Sequence, residues 1–370
     1  QEFMYQVIGR RRRMDKIEQL KQKLEAIQQK LSQMDVREFY KQIAERKNPR
    51  FDERYSMYFA NSFHEIDPYK IDPQLVFVEN NLHRKLFKNA MSFWSVPVSG
   101  GYGRRINILV WDKYHGKVMG VVGLCDSLIG LGLRDNYIGW SKEQKETRLY
   151  STLTAYILGA VPPYHHFLVS KLVAMLVGSV EVVQYFKEKY KDKETTIMKR
   201  KPILELATID TMTVFGQSAI YHCLKEWEFV GFTNGFSHVH LSDIWKEVYR
   251  IAVDMNIPVI HPDKTAYQTG SNWKIQVLKK VFRHLNIDEN ILYTGHKRGY
   301  YIRPLISNWK EFLQCKTDQV DYMNRTAEEY VTIWRKKWLQ KGISRLERTP
   351  QIDINVVKRQ RCLFQPKCVI

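Results

Sequence analysis

Apolar and polar residues along the chain alternate with the periods of strands and of helices in turn. Two runs rich in β-branched residues, at 106–111 and 118–126, flank a KYHGK turn and predict a β-hairpin. Further apolar runs predict strands at 73–80, 155–161, 202–210 and 228–233. Amphipathic stretches predict helices at 81–94, 141–153, 168–186 and 217–227. This order predicts an α/β (α+β) fold, with helices on the faces of a mixed sheet.

The N-terminal part of the chain has a different period. Apolar residues recur there at alternating steps of three and four, at Ile17, Leu20, Leu24, Ile27, Leu31 and Met34. This is the a/d spacing of a coiled coil, and it predicts a helix that either dimerises or packs on its own domain. Four arginines at 10–13 precede it, as a solvated terminus or as an arm that binds phosphates.

The chain becomes more helical and more basic after Leu241. Amphipathic helices are predicted at 242–255, with Ser242 as N-cap, at 271–287 and at 327–348. We therefore expect five segments. They are a cloning remnant (1–3), a basic arm with the coiled-coil helix (4–47), an α/β core (48–245), a basic helical extension (246–346) and a basic tail (347–370).

Net charge points to the class of partner. The chain carries 58 Lys and Arg against 39 Asp and Glu, a formal net charge of +19. A field of this sign concentrates polyanions, so nucleic acid is the favoured partner, with simple solubility or an acidic protein as alternatives. Five dispersed cysteines and the lack of an apolar run of bilayer length indicate a cytoplasmic protein without a membrane anchor.

Motifs of nucleotide and metal sites do not occur in a usable context. The GGYG run at 100–103 precedes a strand instead of opening a helix, and no phosphate-binding G-x-x-x-x-G-K-[ST] loop is present. A dinucleotide site and ATP hydrolysis are therefore not expected. His238 and His240 would share one strand face, but further ligands are not evident, so we interpret them as structural and expect no metal.

Two arginine-bearing turns are candidate phosphate sites. Glycines at 100–103 allow close backbone approach, and Arg104 and Arg105 follow at once. Arg134 and Asp135 lie near Trp140 ahead of a predicted helix, either bracing that helix or forming the floor of a pocket. A plain hairpin turn and a helix brace are the corresponding structural interpretations.

Basic residues are interleaved with aromatic residues towards the C-terminus. One group is Arg298 and Arg303 in RGYYIRPL, and the other is the WRKKW run at 334–338. Such mixtures suit phosphate neutralisation with base stacking, although an amphipathic helix with its Trp residues in the core explains WRKKW equally well. The full set predicted to bind nucleic acid is Arg104, Arg105, Arg134, Lys171, Arg298, Arg303, Arg335, Lys336 and Lys337.

Several motifs occur together in one known family. They are PVSGGYGRRINILVWD, GVVGL, LGLRDNYIGW, TNGFSHVH, RGYYIRPL and WRKKW, in this order between about 95 and 346. The sequence resembles the DruA-like family, named for protein A of the Druantia anti-phage system. The resemblance implies a core related to the GNAT acyltransferases and a role in phage defence or a mobile element. The N-terminal coil and the last residues are left outside it.

The resemblance also implies where an acyltransferase site would lie. Tyr221 falls where a GNAT general acid could lie, with Ser218 nearby, and Asp135 completes the candidate catalytic residues. The acyl-CoA pyrophosphate would bind at 159–171, but Pro162 and Pro163 lack N–H donors there. Acyl-CoA is therefore a possible cofactor that the sequence does not favour.

Three functions remain open at this point. The first is a DruA-like protein that binds nucleic acid, more readily DNA than RNA, in phage defence or a mobile element. The second is a GNAT-like acyltransferase that modifies nucleic acid, by analogy with the phage Mu Mom protein. The third is a scaffold that assembles, as a homo-oligomer or with defence partners, through residues 17–34.

Overall fold

The fold is that of a computed structural model, which describes residues 2–195, 199–233, 239–258, 273–294 and 297–348. The chain forms two compact units, one of Gln1–Ile43 with Asn234–Lys297 and the other of Ala44–Thr233 with Arg298–Ile370. Residues of the expected helical extension therefore fall in both units. The segment boundaries expected at 47, 245 and 346 stay a prediction.

A β-sheet forms the second unit, and within the described residues it has seven strands. They are β1 (Pro73–Phe77), β2 (Arg105–Asp112), β3 (Lys117–Asp126), β4 (Thr152–Ala160), β5 (Thr208–Met212), β6 (Glu228–Phe232) and β7 (Gly299–Pro304). Their order is β1-β2-β3-β4-β5-β7-β6, and β4 and β5 pair in parallel while the other neighbours pair antiparallel. The predicted mixed sheet with flanking helices is confirmed, and its GNAT-like character stays a prediction.

The helices are numbered along the chain. They are α1 (Glu2–Gln33), α2 (Val36–Lys47), α3 (Asn81–Met91), α4 (Gly132–Ile138), α5 (Lys142–Arg148), α6 (Val169–Leu176), α7 (Val180–Tyr190), α8 (Trp245–Asp254), α9 (Trp273–His284), α10 (Trp309–Leu313), α11 (Ala327–Trp334) and α12 (Gln340–Glu347). A π-helical segment, Arg335–Leu339, joins α11 to α12. Short 3₁₀ turns lie at Glu53–Tyr58, Phe63–Glu65, Pro68–Lys70, Leu149–Ser151, Tyr164–Phe167, Val239–Leu241 and Glu289–Leu292.

The core of the sheet unit is built on the central strands. Residues 118–125 of β3 are all buried, so this strand is covered on both faces. Leu172 of α6 and Phe186 of α7 are fully buried in the same cluster. At the start of α5, Ser141 and Gln144 form the capping box that the sequence predicts. Such a core holds the ends of β3 and β4 firmly in place.

The N-terminal unit has a separate core of helices. Leu20 and Leu24 of α1 are buried in one cluster with Val248 of α8 and Val277 of α9. The two predicted seam residues thus pack within their own unit, the second of the two alternatives for this helix. Dimerisation through the seam stays a prediction.

Three predicted helices differ from those observed. The helix expected at 168–186 ends at Leu176 and restarts at Val180. Gly178 lies in this break, and a Cβ atom there would lie 2.3 Å from Arg303 Nε, so the close approach of Arg303 requires glycine. Residues 217–227 form turns instead of a helix. Ser242 is not an N-cap, since α8 begins at Trp245.

The length and hydropathy of the helices show whether one of them could span a bilayer. Among the described residues, no single helix combines the length and the apolar character that a membrane span needs. The bent pair α6 and α7 meets the length and composition test only when its members are taken together, and seven of the eight residues of α6 are buried in the core.

Candidate functional site

The glycine turn before β2 packs on the end of β3. Gly101 and Gly103 have φ values of 66° and 68°, in the left-handed region. A Cβ atom on Gly103 would lie 1.9 Å from Asp126 Oδ2, and one on Gly101 would lie 2.6 Å from Cys125 Cβ. The glycines are therefore needed for close packing against the protein's own β3.

Arg104 forms an ion pair with a carboxylate of the same chain. Its backbone N–H donates to Asp126 Oδ2 at 3.0 Å, and its Nε donates to Asp126 Oδ1 at 2.5 Å. The guanidinium also stacks 3.6 Å above the centre of the Tyr150 ring. The Asp126 carboxylate thus occupies the position in which the sequence predicted a phosphate. Arg105 is exposed, and its Nη2 donates to Gly101 O at 3.0 Å.

Arg134 and Asp135 form a second internal pair. Arg134 is 1% exposed, and its Nε and Nη2 donate to Asp135 Oδ1 at 3.0 and 2.8 Å. Trp140 Nε1 donates to the same oxygen at 3.2 Å, and Lys145 Nζ donates to Oδ2 at 2.9 Å. Burial raises the pKa of Asp135, but the Lys145 hydrogen bond and the Arg134 charge outweigh it and hold the pKa below its ordinary value.

A buried carboxylate connects the two turns. Asp210 on β5 is 3% exposed, and it accepts hydrogen bonds from Thr154 Oγ1 at 2.5 Å and Ser127 Oγ at 3.4 Å. Ser127 follows β3, and its carbonyl accepts from the hydroxyl of Tyr102 in the glycine turn. Burial raises the pKa of Asp210, and the charge of Arg134 opposes the rise. Hydrogen bonds therefore connect the glycine turn to Asp210 through Ser127, and the charge of Arg134 acts on the same carboxylate.

Asp135, one of the three predicted catalytic residues, is held by Arg134 and Lys145, and the other two, Tyr221 and Ser218, have different surroundings. Tyr221 is 7% exposed, its ring lies 4.9 Å from that of Trp227, and burial raises its pKa. The Ser218 backbone N–H donates to Tyr301 Oη at 2.9 Å, and Ser218 Oγ accepts from Ile220 N–H at 3.2 Å. The backbone N–H of His222 donates to Ser218 O at 3.0 Å, but within the described part of the chain no hydrogen bond joins the Ser218 hydroxyl to the side chain of a histidine or to a carboxylate.

The residues expected to hold acyl-CoA do not fit that cofactor. Val161 and Tyr164 are fully buried, and Pro162 lies between them without an N–H donor. Lys171 Nζ donates to the carbonyls of Ala219 and Ile220 at 2.6 and 3.4 Å. The lysine thus caps a turn of the chain instead of facing a free phosphate, and it explains why 217–227 does not continue as a helix.

Potential metal-ligating side chains do not cluster in the described residues. The described residues contain no group of three or more His, Cys, Asp or Glu that could hold a metal ion. His240 is buried and its Nε2 lies 2.6 Å from the Ile291 carbonyl, consistent with a structural role. His238 lies outside the described residues.

The π-helical segment sorts the WRKKW run into buried aromatics and exposed cations. Trp334 and Trp338 are 0% and 8% exposed, whereas Lys336 and Lys337 lie in water. Lys171 Nζ lies 4.4 Å from the centre of the Trp338 ring, and Lys337 and Lys341 Nζ lie 5.0 and 5.3 Å from it. Three lysines therefore surround a single indole ring.

Exposed cations continue along one face of α12. Lys337, Lys341, Arg345 and Arg348 follow one another at three or four residues, and we call them the cationic stripe. Burial lowers the pKa of Lys171, and the charges of Lys337 and Lys341 lower it further against the opposing influence of Cys223. Over the described ranges, no carboxylate lies within ion-pair distance of Lys337 or Lys341. Lys341, Arg345 and Arg348 were not among the residues predicted to bind nucleic acid, although their spacing of three or four residues places them on one helix face.

The remaining residues predicted to bind nucleic acid differ in solvent exposure. Arg303 is 1% exposed, and its guanidinium donates to Ala174 O and to Tyr330 Oη. Contact between Arg303 and a nucleic acid would require this core to open. Arg298 is half-buried beside β7. Arg335 is exposed, donates to Ile71 O at 2.7 Å and lies 3.9 Å from Asp72.

Comparison with known proteins places the chain in a family. The model of the family described as Druantia protein DruA matches residues 21–315. The chain belongs to the DruA family. It is 32% identical over 289 residues to Druantia protein DruA of Escherichia coli strain UMEA 4076-1, covering 76% of this chain and 71% of that protein. No solved structure matches. The family match begins at residue 21, within α1, and ends at 315, so it extends further towards the N-terminus than the resemblance read from the motifs and stops before the WRKKW run.

Proposed function

We propose that this DruA family member acts in the Druantia anti-phage system by binding nucleic acid through the cationic stripe. Family membership implies the defence role. Nucleic-acid binding is our inference from the surface, and the observation that carries it is the grouping of like charges on α12 and the adjoining π-helical segment.

Like charges held together without carboxylates destabilise the free protein. Burial is the main cause of the lowered pKa of Lys171, and repulsion by Lys337 and Lys341 lowers it further. Elsewhere in the sheet unit Arg104, Arg134 and Arg148 are paired with Asp126, Asp135 and Asp318, while the buried Arg303 donates to Ala174 O and Tyr330 Oη. A polyanion would relieve the repulsion and release its own counterions, so affinity would fall steeply with salt.

The test is a titration of fluorescent DNA with the full chain across salt concentrations, read by anisotropy. Lys337→Gln with Lys341→Gln should weaken binding at least tenfold. It should also reduce the slope of log affinity against log salt by about 1.4–1.8, for two lost phosphate contacts. The matched control is Lys142→Gln with Lys316→Gln, two exposed lysines outside the stripe. An unchanged slope in the stripe variant would refute the proposal.

The other two functions receive less support. An acyltransferase needs an open cofactor groove, and the residues at 161–164 where it was expected are buried. Assembly through residues 17–34 would need a free seam, and Leu20 and Leu24 are already covered by α8 and α9. Neither function is proposed here.

A further inference from the structure

An exposed tyrosine contacts α12 beside the cationic stripe. Tyr69 is 68% exposed, and its hydroxyl donates to Gln340 Oε1 at 3.4 Å. Gln340 lines a shallow groove of about 390 Å³ on the side of α12. The other residues of that groove are Lys341, Ser344, Arg345 and Arg348. The ring of Tyr69 therefore stands at the end of the groove that carries most of the stripe.

The second tyrosine is connected to the first through Lys70. Tyr114 is 58% exposed in the turn between β2 and β3, and Lys70 Nζ lies 5.4 Å from the centre of its ring. Lys70 follows Tyr69 directly in the chain. We call Tyr69, Lys70 and Tyr114 the tyrosine track. It connects to α12 through Tyr69, and its cation, Lys70, also lies 3.5 Å from Asp67 Oδ2.

The backbone beneath the track is well anchored. Asp67 caps the 3₁₀ turn of Tyr69, accepting from its N–H at 3.0 Å. The Asp67 N–H donates to His115 Nε2 at 3.0 Å, and His115 Nδ1 lies 2.6 Å from Asp112 Oδ2. The two turns that carry the tyrosines are thus joined by hydrogen bonds, so the rings are displayed on a fixed support.

Exposed aromatic rings next to cations match one class of nucleic acid. Proteins that bind single strands combine a cationic groove with aromatic faces on which unpaired bases stack. The bases of a duplex are stacked on one another and cannot reach such rings. The tryptophans of WRKKW are buried under the stripe, so the track supplies the only large exposed rings that the described contacts connect to it.

We propose that the stripe and the track together form a site for single-stranded nucleic acid, with Tyr69 and Tyr114 stacking on bases. This rests on the proposed function, because the stripe supplies the phosphate contacts. The class of ligand is set by the tyrosines, and the overall affinity by the cations.

The experiment compares a labelled 12-nucleotide oligo-dT with a 12-base-pair duplex, using the full chain and anisotropy at one salt concentration. The wild type should bind the single strand at least fivefold more tightly. Tyr69→Ala with Tyr114→Ala should weaken single-strand binding tenfold or more and change duplex binding less than twofold. The matched control, Tyr69→Phe with Tyr114→Phe, keeps both rings and should bind the single strand within twofold of the wild type.

The outcomes separate this inference from the one on which it rests. If the alanine variant binds oligo-dT like the wild type, or if the duplex binds more tightly, the single-strand site is refuted while the stripe can still bind DNA. If neither DNA binds, or if binding ignores Lys337→Gln with Lys341→Gln, the proposed function itself fails. Unchanged thermal unfolding of the tyrosine variants confirms that these surface substitutions leave the fold intact.

Discussion

The glycine turn at the end of β3 and the cationic stripe on α12 were both rich in basic residues in the sequence, yet they differ in their partners. At the turn, Arg104 is held by Asp126, and nearby Arg134 is held by Asp135. Along the stripe, Lys337 and Lys341 lie beside another lysine instead of a carboxylate.

Under the proposed function, the difference teaches that basic residues bind a polyanion where the fold leaves their charge unmatched. A guanidinium with a carboxylate partner inside the protein stabilises the fold and offers little field to a ligand. Cations kept together at the surface do the reverse, since they cost stability and attract anions. Substitutions of the paired residues should therefore lower the free energy of unfolding.

The largest effect is expected from removing the carboxylate partner of a fully buried arginine. Asp135→Ala leaves Arg134, 1% exposed, without the carboxylate that accepts two of its hydrogen bonds. We expect a loss of about 3 kcal/mol in the free energy of unfolding, because an unpaired buried charge is costly. Urea denaturation followed by circular dichroism measures it.

Lys145→Ala is the matched control for this change. It removes the outer partner of Asp135 but keeps the buried pair, and we expect a loss below about 1 kcal/mol. Equal losses in the two variants would show that the Arg134 pair is no more important to the fold than a surface contact.

Neighbouring arginines at the glycine turn allow a finer comparison. Arg104→Ala removes the Nε bond to Asp126 and the stacking on Tyr150, and we expect it to cost about 2 kcal/mol. The Asp126 carboxylate keeps the backbone donor. Arg105→Ala, one position later and exposed, should cost less than about 0.5 kcal/mol. Thermal unfolding of both variants decides, and a reversed order would contradict the assignment of Arg104 to the fold.

Much of the sheet was predictable because its signals are local. β-Branched runs gave β2 and β3, and the capping box at Ser141 and Gln144 fixed the start of α5. The segment 217–227 has helical periodicity, but Lys171, about 50 positions earlier, takes two of its carbonyls. Such a long-range contact overrides local propensity and leaves no trace in the pattern of the segment itself.

The site was predictable only in part, for the same reason. The arginines were evident, but the pairing of Arg104 with Asp126 spans 22 positions and depends on how the turn packs on β3. In the C-terminal helix the sequence indicated 335–337 but not the continuation at 341, 345 and 348, although helical spacing links them. Tyr69 and Tyr114 belong to separate turns that only the fold brings to the stripe.

The smallest effect concerns the field of the stripe on a neighbouring histidine. Burial lowers the pKa of His166, and the charge of Arg345 lowers it further, to about 4. Because the ordinary value is about 6.5, the unfolded chain binds the proton first as the pH falls. The stability linked to His166 is therefore complete above about pH 6.5 and is lost as the pH drops through about 4.

Arg345→Gln should raise the pKa of His166 by a fraction of a unit and so lessen the loss of stability. NMR titration and thermal unfolding at pH 7 and 4.5 measure the two effects. Arg348→Gln, on the same helix, should leave the pKa of His166 in place. If both variants shift it equally, the effect is one of overall charge, and Arg345 does not act on His166 as a close neighbour.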